Sequence, residues 1–139
     1  MEINIQIASI LGEEKKVLTK LEQILLCSGC TENDIMDIKT AVAEACLNAI
    51  EHGNRLIPER IVDIHIQIME DRVIIEVCDQ GEGAKLQSLS CNDETNAEEL
   101  RGWGLLFIDR LVDAWGYFYK PENNQFCVRM QKNFRKVGR

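Results

Sequence analysis

Glu44 and Asn48 stand four residues apart in the stretch E-A-C-L-N-A-I-E-H-G over residues 44–53. On a helix that spacing stacks a carboxylate and a carboxamide on one side, one turn apart. Such a pair can act on one small target, a metal-bound phosphate for example. His52 continues the line and Gly53 ends it. A second group follows at Asp79-Gln-Gly-Glu-Gly83, where two glycines let the backbone turn sharply and let a flat ligand approach closely. Its aspartate is an acceptor suited to an amino group. A third group is Arg101-Gly-Trp-Gly-Leu105. Glycines at a helix start leave backbone N–H groups for phosphate, aided by the positive end of the dipole. Each group alone has a plainer reading: a solvated helix face, a turn after a strand, a tight loop-to-helix junction.

The elements that must position these groups are legible from periodicity. Residues 3–9 alternate apolar and polar, which predicts a half-buried strand. Residues 13–28 switch to helical spacing, with Val17, Leu18, Leu21, Ile24 and Leu25 in one stripe and Gly29 as the stop. Thr31 opens a second helix as N-cap, with Asp34 three residues on. Its buried stripe is Ile35, Ile38, Val42, Ala45 and Ala49, and Glu44 lies about half a turn from Ile35. The helix alone does not decide whether that far face meets water or a ligand. Asn is a poor interior helix residue, by several tenths of a kcal/mol, and nothing local calls for one at 48.

Residues 61–69 alternate strictly, with Val62, Ile64, Ile66 and Ile68 on one face and Asp63, His65 and Gln67 on the other. A tight turn at Glu70-Asp71 leads to a second strand over 72–78, predicting an antiparallel hairpin. His65 reads as a solvated residue. From Ala84 to Leu100 periodicity is lost, and a surface loop of that length is usually functional or mobile. A helix with Leu105, Phe107, Ile108, Leu111 and Val112 follows, then a terminal hairpin at 115–120 and 125–130. The basic tail from Lys132 to Arg139 is expected to fray. No repeat or linker divides the chain, so residues 1–139 read as one domain.

Composition narrows the classes. At 139 residues the chain can bury roughly two-thirds of its unfolded surface. With 45% hydrophobic and 28% charged residues it reads as globular rather than disordered. A net charge of −7 argues against general nucleic-acid binding. No apolar run reaches the ~18 residues of a membrane span, and a signal-peptide pattern is missing; the chain reads as cytoplasmic. Cys27-Ser-Gly-Cys30 has C-x-x-C spacing, but no second pair or paired histidines complete a zinc site, and the motif closes a helix rather than opening one. The six cysteines therefore read as buried or incidental thiols in a reducing cell.

Taken in order, E-x-x-x-N-A-x-x-H-G on a helix, D-x-G-x-G after a strand and R-G-x-G-L at a helix start resemble the ATP-binding domain of the GHKL superfamily. Gyrase, the Hsp-type chaperone, histidine kinases and MutL share that domain. The resemblance covers nearly the whole chain and looks closest to the bacterial anti-sigma factor serine/threonine kinases. It implies a Bergerat-type α/β fold, an α+β two-layer sandwich with a mixed, mostly antiparallel sheet and helices on one face.

It also implies roles. Asn48 would coordinate Mg²⁺ bridging the ATP phosphates, and Glu44 would be the general base toward the attacking hydroxyl. Asp79 would accept from the adenine amino group, with Gly81 and Gly83 shaping the pocket floor. Gly102 and Gly104 would bring amides to the phosphates, with Arg101 nearby. His52 and Leu105, in the same motifs, would belong to the nucleotide site, and residues 84–100 would be the ATP lid. The implied function is Mg-ATP-dependent phosphorylation of a small anti-sigma-factor antagonist, together with sequestration of a sigma factor, by a homodimer. The alternative is a nucleotide-binding switch that sequesters a partner without phosphotransfer. Two features depart from the family: Ala84-Lys85 and the following lid do not map residue by residue, and neither His52 nor His65 sits in a phospho-acceptor context. With no dimerisation helix pair either, a complete histidine kinase is not expected.

Overall fold

Alternating isoleucines and polar residues build the first two strands of the sheet. In the computed structural model, which describes residues 1–81 and 104–134, β1 runs Glu2–Ala8, β2 Ile61–Ile68 and β3 Arg72–Asp79. The terminal hairpin supplies β4, Ala114–Lys120, and β5, Gln125–Asn133. The strand order is β1-β2-β3-β5-β4, and all four pairings are antiparallel. The hairpin docks through its second strand. Accordingly β5 is buried along most of its length, while β4, at the sheet edge, is more open.

Among the described residues, three α-helices cover one face: α1, Glu14–Cys27; α2, Glu32–Asn48; and α3, Gly104–Leu111. Thr31 caps α2 as its sequence requires, its hydroxyl accepting from the Asp34 amide at 3.1 Å. The α2 stripe is buried throughout, and Val17, Leu21 and Leu25 of α1 are fully buried. They meet Val62, Ile64 and Ile66 of β2, Val73, Ile75 and Val77 of β3, and Phe126, Val128 and Met130 of β5. Each such large aliphatic side chain contributes about 1.5–3 kcal/mol by leaving water. Ile108 anchors α3 to this core.

The other face stays polar. Asp63 accepts from Gln6 at 2.7 Å and from Gln125 at 2.6 Å, and Lys120 pairs with Glu76 at 3.4 Å. These groups line a shallow groove of ≈ 490 Å³ and largely satisfy one another. His65, read as merely solvated, contacts Asn4 through Nδ1 and lies 3.4 Å from Glu2.

Two expectations need correction. Cys78 and Cys127 are not thiols but a disulfide: the β3–β5 register places them directly opposite each other, a coincidence that sequence spacing cannot reveal. The tail does not fray from Lys132, because Lys132, in β5, pairs with Val73 of β3 and forms an ion pair with Asp37 at 3.6 Å. The Phe134 amide also donates to Asp71 O at 2.9 Å. Residues 135–139 lie outside the described residues.

Cys27 is exposed and Cys30 buried, and no group of three or more metal-ligating side chains occurs among the described residues. Cys46 is fully buried, and loss of solvation, with Glu14 adding a smaller push, raises its thiol from 9.0 to about 12. The folded chain thus keeps a proton that the unfolded chain releases above pH 9. Stability should fall as pH rises from 9 toward 12, by about 1.4 kcal/mol per pH unit from this group. A Cys46→Ser variant should show a shallower alkaline loss in denaturant titrations, and an unchanged slope would refute the assignment. Iodoacetamide should label Cys27 in the native state and Cys46 only on unfolding.

Candidate functional site

The last turn of α2 and the end of β3 carry the candidate site. Buried alanines on the α2 stripe bring that helix close to the sheet, leaving Glu44 half-buried on its other side. One turn on, Asn48 is only 6% exposed, and its Oδ1 has no hydrogen-bond partner among the described residues. A buried carbonyl oxygen left unpaired costs about 1–3 kcal/mol, so its presence calls for a reason. Chemically it is a hard oxygen donor, the kind Mg²⁺ takes singly while keeping phosphate oxygens and water as its other ligands. Asn48 therefore fits a magnesium–phosphate complex.

The α-helix does not end at Gly53 as a regular helix would. Residues Ala49–Gly53 form a π-helical turn, closed by the Asn54 amide donating to Ala49 O at 2.7 Å. Such turns recur at functional sites. Arg55 and Leu56 follow with φ of 54° and 59°, an uncommon conformation for two successive non-glycine residues. His52 is exposed.

Beneath this turn lies Asp79, 2% exposed, with Oδ1 accepting from the Gly81 amide at 2.9 Å. The glycines are required for space rather than for positive φ. A Cβ on Gly53 would sit 2.6 Å from Asp79 Oδ1 and closer still to the rest of the carboxyl group. A Cβ on Gly81 would reach 2.7 Å from Gly53 Cα and overlap the Gly53 carbonyl. The sequence motif thus earns its glycines because the helix end and the strand-end loop touch backbone to backbone. Gly53→Ala and Gly81→Ala should each weaken nucleotide binding by tenfold or more, about 1.4 kcal/mol. An affinity within a factor of about two of wild type for both variants, measured by calorimetric titration, would refute the close approach as a requirement.

Residues that the motifs did not single out hold the two segments together. Asn54 is fully buried, and its Nδ2 donates to Ser9 Oγ at 2.8 Å, Arg60 O at 3.1 Å and Ile61 O at 3.3 Å. Its Oδ1 accepts from the Gln80 amide at 2.7 Å. Gln80 Oε1 in turn accepts from the Ile61 amide at 2.9 Å, and Ser9 Oγ donates to Arg60 O at 2.5 Å. A polar residue directly after H-G was the available signal, but it reads equally well as an ordinary helix end.

The structure therefore brings Glu44 and Asn48 onto one helix end and joins that end to Asp79 and Gly81. Gly104 and Leu105 fall in the first turn of α3. Gly83, Arg101, Gly102 and the expected lid at 84–100 lie outside the described residues.

An α+β sandwich with this helix–strand junction is the architecture of a nucleotide-binding ATPase domain, and the sequence agrees. Residues 8–132 match the histidine kinase-like ATPase domain, and the chain belongs to that family. Among its relatives, the serine-protein kinase RsbW of Staphylococcus epidermidis is 34% identical over 94 residues, 62% of this chain and 59% of that protein. The anti-sigma F factor of Clostridium botulinum (strain Alaska E43 / Type E3) is 42% identical over 108 residues, covering 75% of this chain and 74% of that one. The chain thus spans 59% of the length of the RsbW relative. Two solved structures share the fold. The RsbU and RsbW domains of Rv1364c from Mycobacterium tuberculosis superpose with a TM-score of 0.73 at 18% identity, covering 100% of this chain and 34% of that one. A chain of the SiaB–SiaC complex from Pseudomonas aeruginosa gives 0.65 at 16%, covering 95% and 89%. No described helix is long and apolar enough to cross a membrane.

Proposed function

We propose that this protein binds Mg-ATP at the α2–β3 junction and transfers the γ-phosphoryl group to a serine or threonine of a small regulatory antagonist protein. The same domain would sequester a sigma factor, which the unphosphorylated antagonist displaces. The observation that carries the reading is the unpaired, buried Asn48 Oδ1 one helical turn from Glu44. A structural helix face has no use for such an atom, whereas a magnesium–phosphate complex does. The relatives named as a serine-protein kinase and an anti-sigma factor support the choice of acceptor and partner.

Each residue then has a task. Asn48 would hold Mg²⁺ through Oδ1, and the ion would neutralise charge on the phosphates. Glu44, half-buried and on the same side of α2, takes the proton from the attacking hydroxyl as the new P–O bond forms and the bond between the γ-phosphorus and the β–γ bridging oxygen breaks, with ADP as the leaving group. Asp79 accepts from the adenine amino group, while Gly53 and Gly81 keep side chains out of the space beside it. The α3 N-terminus, at Gly104, directs backbone N–H groups toward the phosphates. Phosphoryl transfer needs little covalent help from the protein beyond such positioning and charge neutralisation.

Incubation with γ-labelled ATP, Mg²⁺ and antagonist proteins of the anti-sigma-factor-antagonist type tests this. The expected result is label on one serine or threonine of an antagonist, abolished by EDTA. Stable partner binding without any label would establish a non-catalytic switch instead. Rapid ATP hydrolysis without an acceptor would point to a conformational ATPase.

A further inference from the structure

We infer that Asn54 is a positioning residue that sets the base preference of the nucleotide site by clamping the Gln80 amide. The inference rests on the proposal that Asp79 reads adenine, and it assigns the group that aims it. Asn54 is fully buried and uses both ends of its carboxamide: Nδ2 on Ser9, Arg60 and Ile61, and Oδ1 on the Gln80 amide at 2.7 Å. With Gln80 Oε1 on the Ile61 amide at 2.9 Å, the bonds close a ring through Asn54, Gln80 and Ile61. That ring ties the π-turn end of α2 to the start of β2 and the end of β3.

Asp79 lies inside this frame. It is flanked in sequence by the clamped Gln80, its Oδ1 is held by the Gly81 amide at 2.9 Å, and Gly53 closes over its carboxyl group. A carboxylate that distinguishes an amino group from a carbonyl needs its lone pairs fixed within a few tenths of an ångström. The Gly81 amide fixes one oxygen directly, and the Asn54 clamp fixes the backbone that carries the side chain by holding the Gln80 amide. The successive positive φ values at Arg55 and Leu56 point the same way, since such a conformation persists only where its surroundings over-determine it.

The test uses binding rather than phosphotransfer, so it stands apart from kinase activity. Dissociation constants for Mg-ATP and Mg-GTP are measured for the wild type, Asn54→Ala, Asn54→Asp and Ser9→Ala, with amide hydrogen exchange at Gln80 in nucleotide-free protein. Asn54→Ala should lose most of its preference for ATP over GTP and weaken ATP binding about tenfold, with Gln80 exchanging faster than any global destabilisation explains. Asn54→Asp keeps an acceptor for the Gln80 amide but sets a second oxygen against two carbonyls, so it should melt lower yet retain the preference. Ser9→Ala removes only the far end of the cluster and should do the same. Should Asn54→Ala not fold, Asn54→Ser carries the same expectation. If the wild type prefers ATP and both the Ala and Ser variants keep that preference, Asn54 is merely structural and the inference fails alone. A wild type that binds neither nucleotide overturns the nucleotide reading and this inference together.

Discussion

Glu44→Ala is expected to reduce phosphotransfer to the antagonist by roughly 10²–10⁴-fold, the usual worth of a positioned general base. Its affinity for Mg-ATP should stay within about threefold of wild type, because a group that acts on the acceptor hydroxyl contributes to the transition state rather than to ground-state nucleotide binding. Single-turnover transfer with pre-bound ATP separates the two quantities. Glu44 is suited to this work because it lies on the side of α2 away from the Ile35 stripe and makes no hydrogen bond or ion pair with a described residue. Glu44→Gln is the sharper comparison, preserving shape and polarity while removing the basic lone pair. A Glu44→Gln protein that transfers at the wild-type rate would show that the base lies elsewhere, or that positioning alone drives the reaction.

The elements around this site could be read because periodicity is a local property. Strict alternation in residues 61–69 specified both the strand and the face it buries, and Thr31 with Asp34 marked the start of α2. The order of the three motifs pointed to the family, although each was weak alone. What stayed hidden depends on register and on space. No local pattern shows that Cys78 and Cys127 lie opposite each other, since that follows from the docking of a distant hairpin. The glycines of the motif were visible, but their purpose was not: Gly53 and Gly81 are packed against each other, a contact between residues 28 positions apart. The π-helical turn was equally silent. Residues 49–53 have helical composition, and the i to i−5 bond at Asn54 leaves no mark in the local pattern. For Asn54 the residue type was suggestive, but four partners drawn from β1, β2 and β3 surroundings are a product of folding.

Asn48→Ala should move stability and function in opposite directions. Truncation removes a buried carbonyl oxygen that has no partner among the described residues, relieving about 1–3 kcal/mol, and replaces a poor helix residue by the best one for several tenths more. Lost packing offsets part of this, leaving a net gain of about 1 kcal/mol, or a rise in melting temperature of roughly 3 °C without nucleotide. With Mg-ATP present the order should reverse. The wild type gains stability by mass action from a ligand the variant holds at least tenfold more weakly, about 1.4 kcal/mol of lost linkage at saturating ATP. Melting curves with and without Mg-ATP, at fixed protein concentration, read both signs in one experiment. Mere damage to α2 would lower stability in both conditions. A variant less stable than wild type without nucleotide, yet equally stabilised by Mg-ATP, would mean that Asn48 serves the fold and that the metal is held by some other group. The opposed signs are what a site residue produces when folding tolerates an unpaired oxygen that only the ligand satisfies.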